Sequence, residues 1–353
     1  MTRPLLTVAI PAYNRAALLT PLLDSIVSQS MTDWECLIVE DNSRERLQIR
    51  EVVKANEAAF GGRLRYLEND ETLGYDGNFR RMVHEARGQY LFVMGNDDLV
   101  TPGAFAAVQR TLAAEPDVGV ILRAYSFFRD DPSNVFQVNR YYADACTFDA
   151  GVPAIVACYR RLVSMSGLVL HRDDSEAVAT DRWDGTLFYQ HWLAANILTK
   201  RPAAYIPDIL ALFRKGGVPE FGTAKAEKGL YTPGVQPPET DLRMIRSLMS
   251  IAETVERERG VAISEHIRHD FANFMYPTIA HQAHEPFRVF WKFYRNLGAM
   301  KFDRYPMFHF WFWSVSILGA KRVDRVIQFV RKTMGHTPNL TRAARPTTKP
   351  LPG

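Results

Sequence analysis

Short, almost wholly apolar runs alternate with stretches of helical periodicity in the first third of the chain. Each run is too short for a typical helix and is closed by turn-forming residues, which is typical of a buried β-strand. These predicted strands cover residues 5–10, 34–39, 64–67, 90–94 and 118–122.

Between the predicted strands, apolar side chains recur every three or four residues and therefore share one helix face. One such face comprises Leu18, Leu19, Leu22, Leu23, Ile26 and Val27, and another comprises Phe79, Met82, Val83 and Ala86. The alternation predicts an α/β fold, with a mostly parallel sheet and right-handed crossovers. Ligands of such sheets bind beyond the carboxyl ends of the strands.

Polar, turn-forming loops follow four of the predicted strands, at residues 11–15, 40–43, 69–74 and 95–98. We expect these loops to converge on one crevice. The loop after the first strand contains no glycine fingerprint for a dinucleotide, and the chain has no phosphate-binding loop ending in Gly-Lys-Ser/Thr. The pattern therefore argues against NAD-linked chemistry and against ordinary ATP hydrolysis.

The triplet Asn96-Asp97-Asp98 ends an apolar strand with two adjacent carboxylates. Carboxylates at such a position can bind Mg²⁺, which is often shared between protein carboxylates and phosphate oxygens. The same triplet is also typical of a turn and helix N-cap, especially before Thr101-Pro102. Both interpretations stay open on the triplet alone.

Composition excludes several classes of protein. The chain has 353 residues, 47% of them hydrophobic, and a net charge of +4, which is typical of a packed globular protein. Its three cysteines are far apart, odd in number and without metal-ligand spacing, so we expect no disulfide framework. We therefore expect a reducing, cytosolic environment. The first residues lead directly into a strand, so we expect no secretory signal.

Five motifs follow one another in a fixed order in the N-terminal part. They are VAIPAYNR at 8–15, IVEDNS at 38–43, Gly74 with Asn78, ARGQYL at 86–91, and NDD at 96–98 followed by Pro102. In this order they resemble the family 2 glycosyltransferases, which have the nucleotide-sugar-binding GT-A fold. The resemblance covers residues 5–125 and weakens towards residue 215.

The resemblance implies a role for each matched residue. Tyr13 would lie against the nucleotide base, Asp41 would hydrogen-bond it, Asp97 would contact the ribose, and Asp98 would bind Mg²⁺ or Mn²⁺. An aromatic ring can stack on a base, and a carboxylate can accept a hydrogen bond from a base N–H or a ribose hydroxyl. The alternatives are that Tyr13 is a half-buried turn tyrosine and that Asp41 is an Asx-turn residue. The other residues of the predicted nucleotide-sugar site are Pro11, Asn14, Arg15, Asn78, Arg214 and Lys215.

The predicted catalytic base departs from the family pattern. Members commonly carry a Glu-Asp pair at the start of a helix, and its Asp deprotonates the acceptor hydroxyl, but this chain has Gln190-His191 there. Imidazole has an ordinary pKa near ~6.5 and can act as a general base. His191 and Asp184 are therefore alternative predicted bases, while a packed structural histidine is the other interpretation.

The cationic pair Arg214-Lys215 stands where the family places cations near the donor diphosphate, although an exposed turn also fits. It ends the predicted catalytic domain, residues 1–215. Residues 216–238 are rich in Gly and Pro and too long for a simple connection, so we predict a lid over donor and acceptor.

Residues 239–335 are predicted to be helical, aromatic and basic. The apolar segment 307–320 is shorter than the ~20 residues that span a bilayer, but an aromatic stretch flanked by cations suits an anionic membrane surface. A helical core against the catalytic domain or a homo-oligomer interface is the alternative. No motif predicts binding of nucleic acid, and residues 336–353 are predicted to be disordered.

The sequence therefore predicts an inverting, metal-dependent glycosyltransferase, cytoplasmic and peripheral to the inner face of the plasma membrane. Its donor would be a nucleotide sugar, and its acceptor a glycan, which we expect to be lipid-linked, in cell-surface polysaccharide synthesis. The alternative is a catalytically impaired nucleotide-sugar-binding or scaffold protein, suggested by the missing Glu-Asp pair. A nucleotidyltransferase is disfavoured because the loop after the first strand lacks glycine and lysine.

Overall fold

A computed structural model describes residues 3–217 and 220–347 of the chain. Its centre is a mixed, mostly parallel sheet with the strand order β3-β2-β1-β4-β9-β6-β10-β5, to which β7 and β8 add at the side. This confirms the predicted α/β class. The strands are β1 Leu6–Ala12, β2 Trp34–Glu40, β3 Leu64–Glu68, β4 Tyr90–Val93, β5 Leu99–Val100, β6 Val120–Phe128, β7 Gln137–Asn139, β8 Cys146–Phe148, β9 Leu168–His171 and β10 Ala203–Arg214.

Helices cover both faces of the sheet. In the N-terminal part these are α1 Ala16–Val27, α2 Arg46–Phe60, α3 Gly74–Glu85, α4 Ala104–Ala114, α5 Val152–Tyr159, α6 Arg172–Ala177 and α7 Tyr189–Ile197. In the C-terminal part they are α8 Pro238–Arg259, α9 Ser264–Asn273, α10 Tyr276–His281, α11 Phe287–Ala299, α12 Pro306–Leu318 and α13 Ala320–Met334.

The first four parallel strands separate two hydrophobic cores. Successive side chains of a strand point to opposite faces, so Ile10 and Ile38 contribute to one core while Ala9 and Leu37 contribute to the other. Helices α1, α2 and α4 cover the first core, and α3, α5 and α7 cover the second. Burial on both faces explains why β1, β2 and β4 are largely apolar without alternation, whereas the edge strand β3 is half-buried.

The C-terminal helices extend the second core. Leu242 and Ile245 of α8, Phe293 of α11 and Phe308 of α12 belong to the same buried cluster as the side chains of α5 and α7. A buried carboxylate, Asp270 of α9, strengthens this junction by accepting a 2.8 Å hydrogen bond from the guanidinium of Arg160. Residues 239–335, which we predict as a separate region, therefore share a core with the N-terminal part.

The segment after α13 returns along the catalytic part. Thr337 N–H donates to Arg140 O at 2.8 Å, Ala344 is buried, and Thr347 N–H donates to Thr147 O at 2.8 Å. These contacts involve the first part of the segment that we predict to be disordered, and residues 348–353 of that segment lie outside the described residues. Across 3–217 and 220–347, no helix is both long and apolar enough to cross a membrane.

Candidate active site

A cavity of about 570 Å³ opens at the carboxyl ends of the strands, as expected for ligand sites on such a sheet. Loops after β1, β2, β4 and β10 form one half of its wall. Nearly all of the predicted nucleotide-sugar and metal residues lie on that wall: Pro11, Tyr13, Arg15, Asp41, Asn78, Asp97, Asp98, Arg214 and Lys215.

Asp41 organises the loop after β2. Its Oδ1 accepts hydrogen bonds from Leu73 N–H at 2.8 Å and from the Asn69 side-chain amide at 2.6 Å, and its Oδ2 accepts from Gly74 N–H at 2.8 Å. The carboxylate thus lies at the N-terminus of α3, where the helix dipole favours negative charge. Burial nevertheless raises the pKa of Asp41 to about 6.

Asn78 is fixed in the same network. Its side-chain carbonyl accepts a 3.0 Å hydrogen bond from Asn69, and its amide donates to Val39 O at 3.0 Å. Because these bonds occupy the Asn78 amide, its side chain supports the wall and holds the neighbouring loops in register.

The loop after β1 turns sharply at Asn14 and Arg15, which adopt φ of 53° and 61°. This left-handed conformation is uncommon outside glycine and asparagine. It places the Tyr13 ring on the cavity wall and lets the Arg15 guanidinium contact Asp97 at 2.6 Å. Asn14 instead donates a 2.9 Å hydrogen bond to the carboxylate of Glu220.

The adjacent carboxylates Asp97 and Asp98 occupy different environments. Asp97 is partly exposed beside Arg15, whereas Asp98 is buried. Asp98 Oδ2 accepts from Ser166 Oγ at 2.5 Å, and Oδ1 accepts from Arg214 N–H at 2.9 Å. Burial, together with the neighbouring charge of Asp97, holds the pKa of Asp98 well above its usual range.

A buried arginine, Arg123 of β6, supports the Asp97-Asp98 pair indirectly, through Ser166. Its guanidinium donates to the carbonyls of Ser166 and Ser164, both at 2.7 Å. The Ser166 hydroxyl in turn donates to Asp98. Arg123 therefore holds the segment that contains Ser166, and Ser166 holds the Asp98 carboxylate. Sequence reasoning missed Arg123 and Ser166, although one arginine within the apolar run of β6 is a usable signal, since buried charges are normally paired.

The cations after β10 face the same end of the cavity. Arg214 donates to Asp97 O at 3.2 Å, and the Lys215 ammonium lies 4.1 Å from the centre of the Phe127 ring. Both residues line the cavity, and Lys215 is also exposed to solvent.

The second half of the cavity wall is largely apolar and comes from other elements. Gln190 is its polar centre, where its Oε1 accepts from Tyr75 Oη at 3.0 Å and its Nε2 donates to Leu162 O at 3.2 Å. No motif in the sequence marks this half. The apolar side chains that line the cavity together with Gln190 are Phe127, Val163, Met165, Leu187, Phe188, Phe213 and Met244.

The two predicted bases lie away from the cavity wall. His191 is fully buried, stacked edge-on between Tyr159 and Phe188, and its ring nitrogens have no hydrogen-bond partner among the described residues. Asp184 is held by Arg80 through two hydrogen bonds. Helix α7 turns Gln190 to the cavity and His191 into the core, so the geometry does not fit either predicted base.

We expect His191→Leu to leave activity at neutral pH unchanged and to stabilise the protein against acid. Burial lowers the pKa of His191 to about 3, below its unfolded value near ~6.5, so its contribution to stability is lost as pH falls between these values. At about pH 5 the free energy of unfolding of the wild type should be about 2 kcal/mol lower than at neutral pH, because the histidine is protonated only in the unfolded state. The leucine variant should lack this loss. Denaturant unfolding of both proteins between neutral and acidic pH measures this loss. If the difference in free energy of unfolding between variant and wild type does not change with pH, the prediction is wrong.

Residues of the predicted lid line one side of the cavity. Glu227 is buried, and its carboxylate accepts from Tyr75 N–H at 2.9 Å and from Gly222 N–H at 2.7 Å. A Cβ on Gly74, whose φ is +78°, would lie 2.5 Å from Glu227 Oε1, so this approach requires glycine. Phe221 and Glu220 line the cavity, and residues 218–219 of the predicted lid lie outside the described residues.

The N-terminal part of the chain is similar to known proteins. Residues 7–159 match the model of glycosyl transferase family 2. The chain is 28% identical over 114 residues to the abequosyltransferase RfbV of Salmonella typhimurium, covering 32% of this chain and 34% of the relative. It is 29% identical over 108 residues to a GalNAc(5)-diNAcBac-PP-undecaprenol beta-1,3-glucosyltransferase of Campylobacter jejuni, covering 30% and 34% of the two chains. The chain spans only 13% and 39% of two other curated relatives.

Among solved structures, the fold is similar to that of S. aureus TarS 1-349 in complex with UDP-GlcNAc. The TM-score is 0.59 at 13% identity, and the match covers 94% of this chain and 92% of TarS 1-349. GalNAc-T7 with UDP, GalNAc and Mn²⁺ gives a TM-score of 0.51 at 10% identity, covering 74% and 55%. At these identities the similarity establishes the GT-A fold alone.

Proposed function

We propose that the chain transfers a sugar from a nucleoside diphosphate donor to a hydroxyl group, because residues 7–159 match the glycosyl transferase family 2 model and the chain has a GT-A fold. The observation that carries the proposal is the convergence of Tyr13, Asp41 and the Asp97-Asp98 pair on one wall of a single cavity. An aromatic ring, a hydrogen-bonding carboxylate and a carboxylate pair are the groups that a base, a ribose and a metal-bound diphosphate require.

We propose that Asp98 binds a divalent cation, Mg²⁺ or Mn²⁺, together with the donor diphosphate, and that the neighbouring Asp97 contacts the ribose. The pair fits such an ion because burial and mutual repulsion disfavour two negative charges there, and a cation relieves both effects. Within 3–217 and 220–347 there is no group of three or more His, Cys, Asp or Glu that could hold a metal ion. The remaining ligands would therefore be phosphate oxygens and water, a common arrangement for Mg²⁺.

The protein side chains would act mainly by positioning and electrostatics. The Tyr13 ring would stack on the base, and Asp41, which lines the same cavity, would hydrogen-bond it. Arg214 and Lys215, on the same wall, would neutralise charge that develops on the departing diphosphate. The bound metal ion would supply Lewis-acid stabilisation of the same leaving group.

The acceptor would enter the second, apolar half of the cavity, beside Gln190. Inversion at the anomeric carbon is the outcome that the family implies, with in-line attack by the acceptor oxygen. The names of relatives, one acting on a PP-undecaprenol-linked glycan and one an abequosyltransferase, support a glycan acceptor in polysaccharide synthesis, lipid-linked in our proposal. We place this activity in the cytoplasm, at the inner face of the plasma membrane.

A screen of nucleotide sugars tests the proposal. Purified protein should gain thermal stability with one or more nucleoside diphosphate sugars in the presence of Mg²⁺ or Mn²⁺, and should release the nucleoside diphosphate slowly from the right donor. No stabilisation by any donor, with or without metal, would overturn the proposal.

A second candidate function is a nucleotide-sugar-binding or scaffold protein without transfer activity. The observation favouring it is that α7 presents Gln190 to the cavity, where the family commonly has an acid. A donor that stabilises the protein but is never hydrolysed or transferred would support this candidate over the enzyme.

A further inference from the structure

Three C-terminal helices expose large apolar side chains on their outer sides. On α12, the residues Phe310, Trp313 and Ile317 follow a spacing of three and four and so share one side, where Ile317 is 73% exposed. The opposite side of α12, including Phe308, Phe312 and Val315, is buried in the core. In the sequence, residues 307–320 form one apolar segment. In the structure, one side of this helix packs in the core and the other side is exposed.

Helix α13 is still more exposed. Val323 is its only buried side chain, whereas Val326 is 61% and Phe329 70% exposed. Val326, Phe329 and Val330 again follow a spacing of three and four, so they form one apolar stripe along the helix. Isolated exposed apolar residues are ordinary on protein surfaces, but a stripe of them on a helix that buries so little is unusual.

The outer sides of α11 and α12 are continuous. The rings of Trp291 and Trp313 lie 6.1 Å apart between their centres, and Phe287 stacks on Trp291 at 6.3 Å. Helix α13 follows α12 directly at Gly319 and contacts it, so its stripe adds exposed apolar side chains next to α12. We give the name outer apolar surface to these exposed side chains of α11, α12 and α13: Phe287, Trp291, Phe310, Trp313, Ile317, Leu318, Val326, Phe329, Val330 and Met334.

Cations surround this surface. Residues 287–334 contain ten lysines and arginines against two aspartates, a net charge of +8, whereas the whole chain carries +4. Among the described residues, none of the cations on α11 and α13 forms an ion pair with a carboxylate, so their charge is available to a partner. They are Arg288, Lys292, Arg295, Lys321, Arg322, Arg325, Arg331 and Lys332.

The polar groups within α12 are already used inside the protein. His309 bonds Tyr294 Oη at 2.6 Å, and the Trp311 indole N–H donates to Asn273 O at 2.9 Å. These bonds fix α12 to its neighbours, so it is anchored in the fold while its outer side stays apolar. A helix of 13 residues is about 20 Å long, too short for the ~30 Å hydrocarbon core of a bilayer.

We propose that the outer apolar surface docks on an anionic lipid bilayer, with α11, α12 and α13 lying in the headgroup region. Exposed Phe, Trp and Ile side chains would enter the acyl boundary, and the surrounding cations would meet lipid phosphates. Charge complementarity selects this partner, because a second copy of the same surface would bring two strongly positive faces together.

This surface lies one helix layer from the acceptor half of the cavity. Helix α11 turns Phe290 and Phe293 into the core that it shares with α8, and Met244 of α8 lines the cavity. A membrane docked there would hold a lipid-borne acceptor near the cavity. The docking itself does not depend on the proposed transfer activity.

Vesicle co-sedimentation of the full chain tests the docking. It should bind vesicles of phosphatidylglycerol and phosphatidylcholine, bind phosphatidylcholine vesicles far more weakly, and release as salt rises. The double variant Val326→Glu/Phe329→Glu should weaken binding roughly tenfold or more, and Lys321→Gln and Arg325→Gln about fivefold each. The matched controls are Leu47→Glu and Lys54→Gln on α2, exposed positions away from the surface, which should bind as the wild type does.

Two results would overturn the docking proposal. One is vesicle binding that the double variant on α13 leaves unchanged. The other is a chain that binds neither kind of vesicle but forms a dimer that the same variant dissociates, which would assign the surface to a second copy. Because donor binding is measured separately, either result is distinguishable from failure of the proposed transferase function.

Discussion

Replacing Asp98 by asparagine should lower the rate of sugar transfer, as kcat/KM, by roughly 10²–10³-fold, because it removes a buried negative charge from the diphosphate site. Asparagine is nearly isosteric and can still accept from Arg214 N–H, while the Ser166 hydroxyl can rotate to accept from its amide. The fold should therefore persist, and the loss should fall on catalysis and on metal-dependent donor binding.

The comparison variant for this effect is Asp24→Asn, an exposed aspartate on α1, which should keep full activity. Asp97→Asn separates the two members of the pair, because Asp97 contacts Arg15 whereas Asp98 is buried against Ser166. Titration of donor hydrolysis with Mn²⁺ measures all three variants. If Asp98→Asn retains the wild-type rate and metal dependence, the proposed metal site is wrong.

Asp270→Asn should lower the free energy of unfolding by about 3–5 kcal/mol, the usual cost of breaking a buried ion pair from one side. Its carboxylate accepts from Arg160 Nε at 2.8 Å and from Thr341 Oγ1 at 2.6 Å, and Arg161 lies 3.7 Å away. Burial acts to raise the pKa of Asp270, but the two arginines outweigh it and hold the pKa below its usual range. The variant would leave both guanidinium groups buried without a carboxylate.

Denaturant unfolding at neutral pH measures this loss, with Asp173→Asn as the control. Asp173 also pairs with an arginine, Arg3, but both side chains are about half exposed, so its loss should cost less than about 1 kcal/mol. Since Asp270 joins α9 to the catalytic part, an unchanged midpoint in Asp270→Asn would show that the C-terminal helices are not held by this pair.

Most of the donor half of the cavity could be predicted from the sequence. Parallel strands buried on both faces appear as apolar runs, and their carboxyl ends must meet at one edge of the sheet. The positions of Tyr13, Asp41 and Asp98 on the cavity wall follow from that rule once the strands are recognised. The detailed contacts of Asp41 do not, because Leu73 and Gly74 come from a different loop.

The second, largely apolar half of the cavity, where we propose that the acceptor binds, could not be predicted in the same way. Its wall combines Val163 and Met165, Gln190 of α7, Phe213 of β10 and Met244 of α8, which are far apart in the sequence and share no motif. Which of two adjacent residues on α7 faces the cavity depends on how that helix packs. Packing against Tyr159 buries His191 and leaves Gln190 at the wall, a choice that the sequence pattern does not contain.

The sequence by itself determined the α/β class, the order of the first strands and helices, and the carboxylates at the strand ends, because hydrophobic periodicity and turn chemistry are local properties. Tertiary structure decided everything that depends on contacts between distant segments. Examples are the burial of His191, the support of Asp98 by Ser166 and Arg123, and the hydrogen bond from Tyr75 N–H to Glu227. It also decided which side of α12 and α13 is exposed, since an amphipathic pattern gives a helix an apolar side but does not say what covers it.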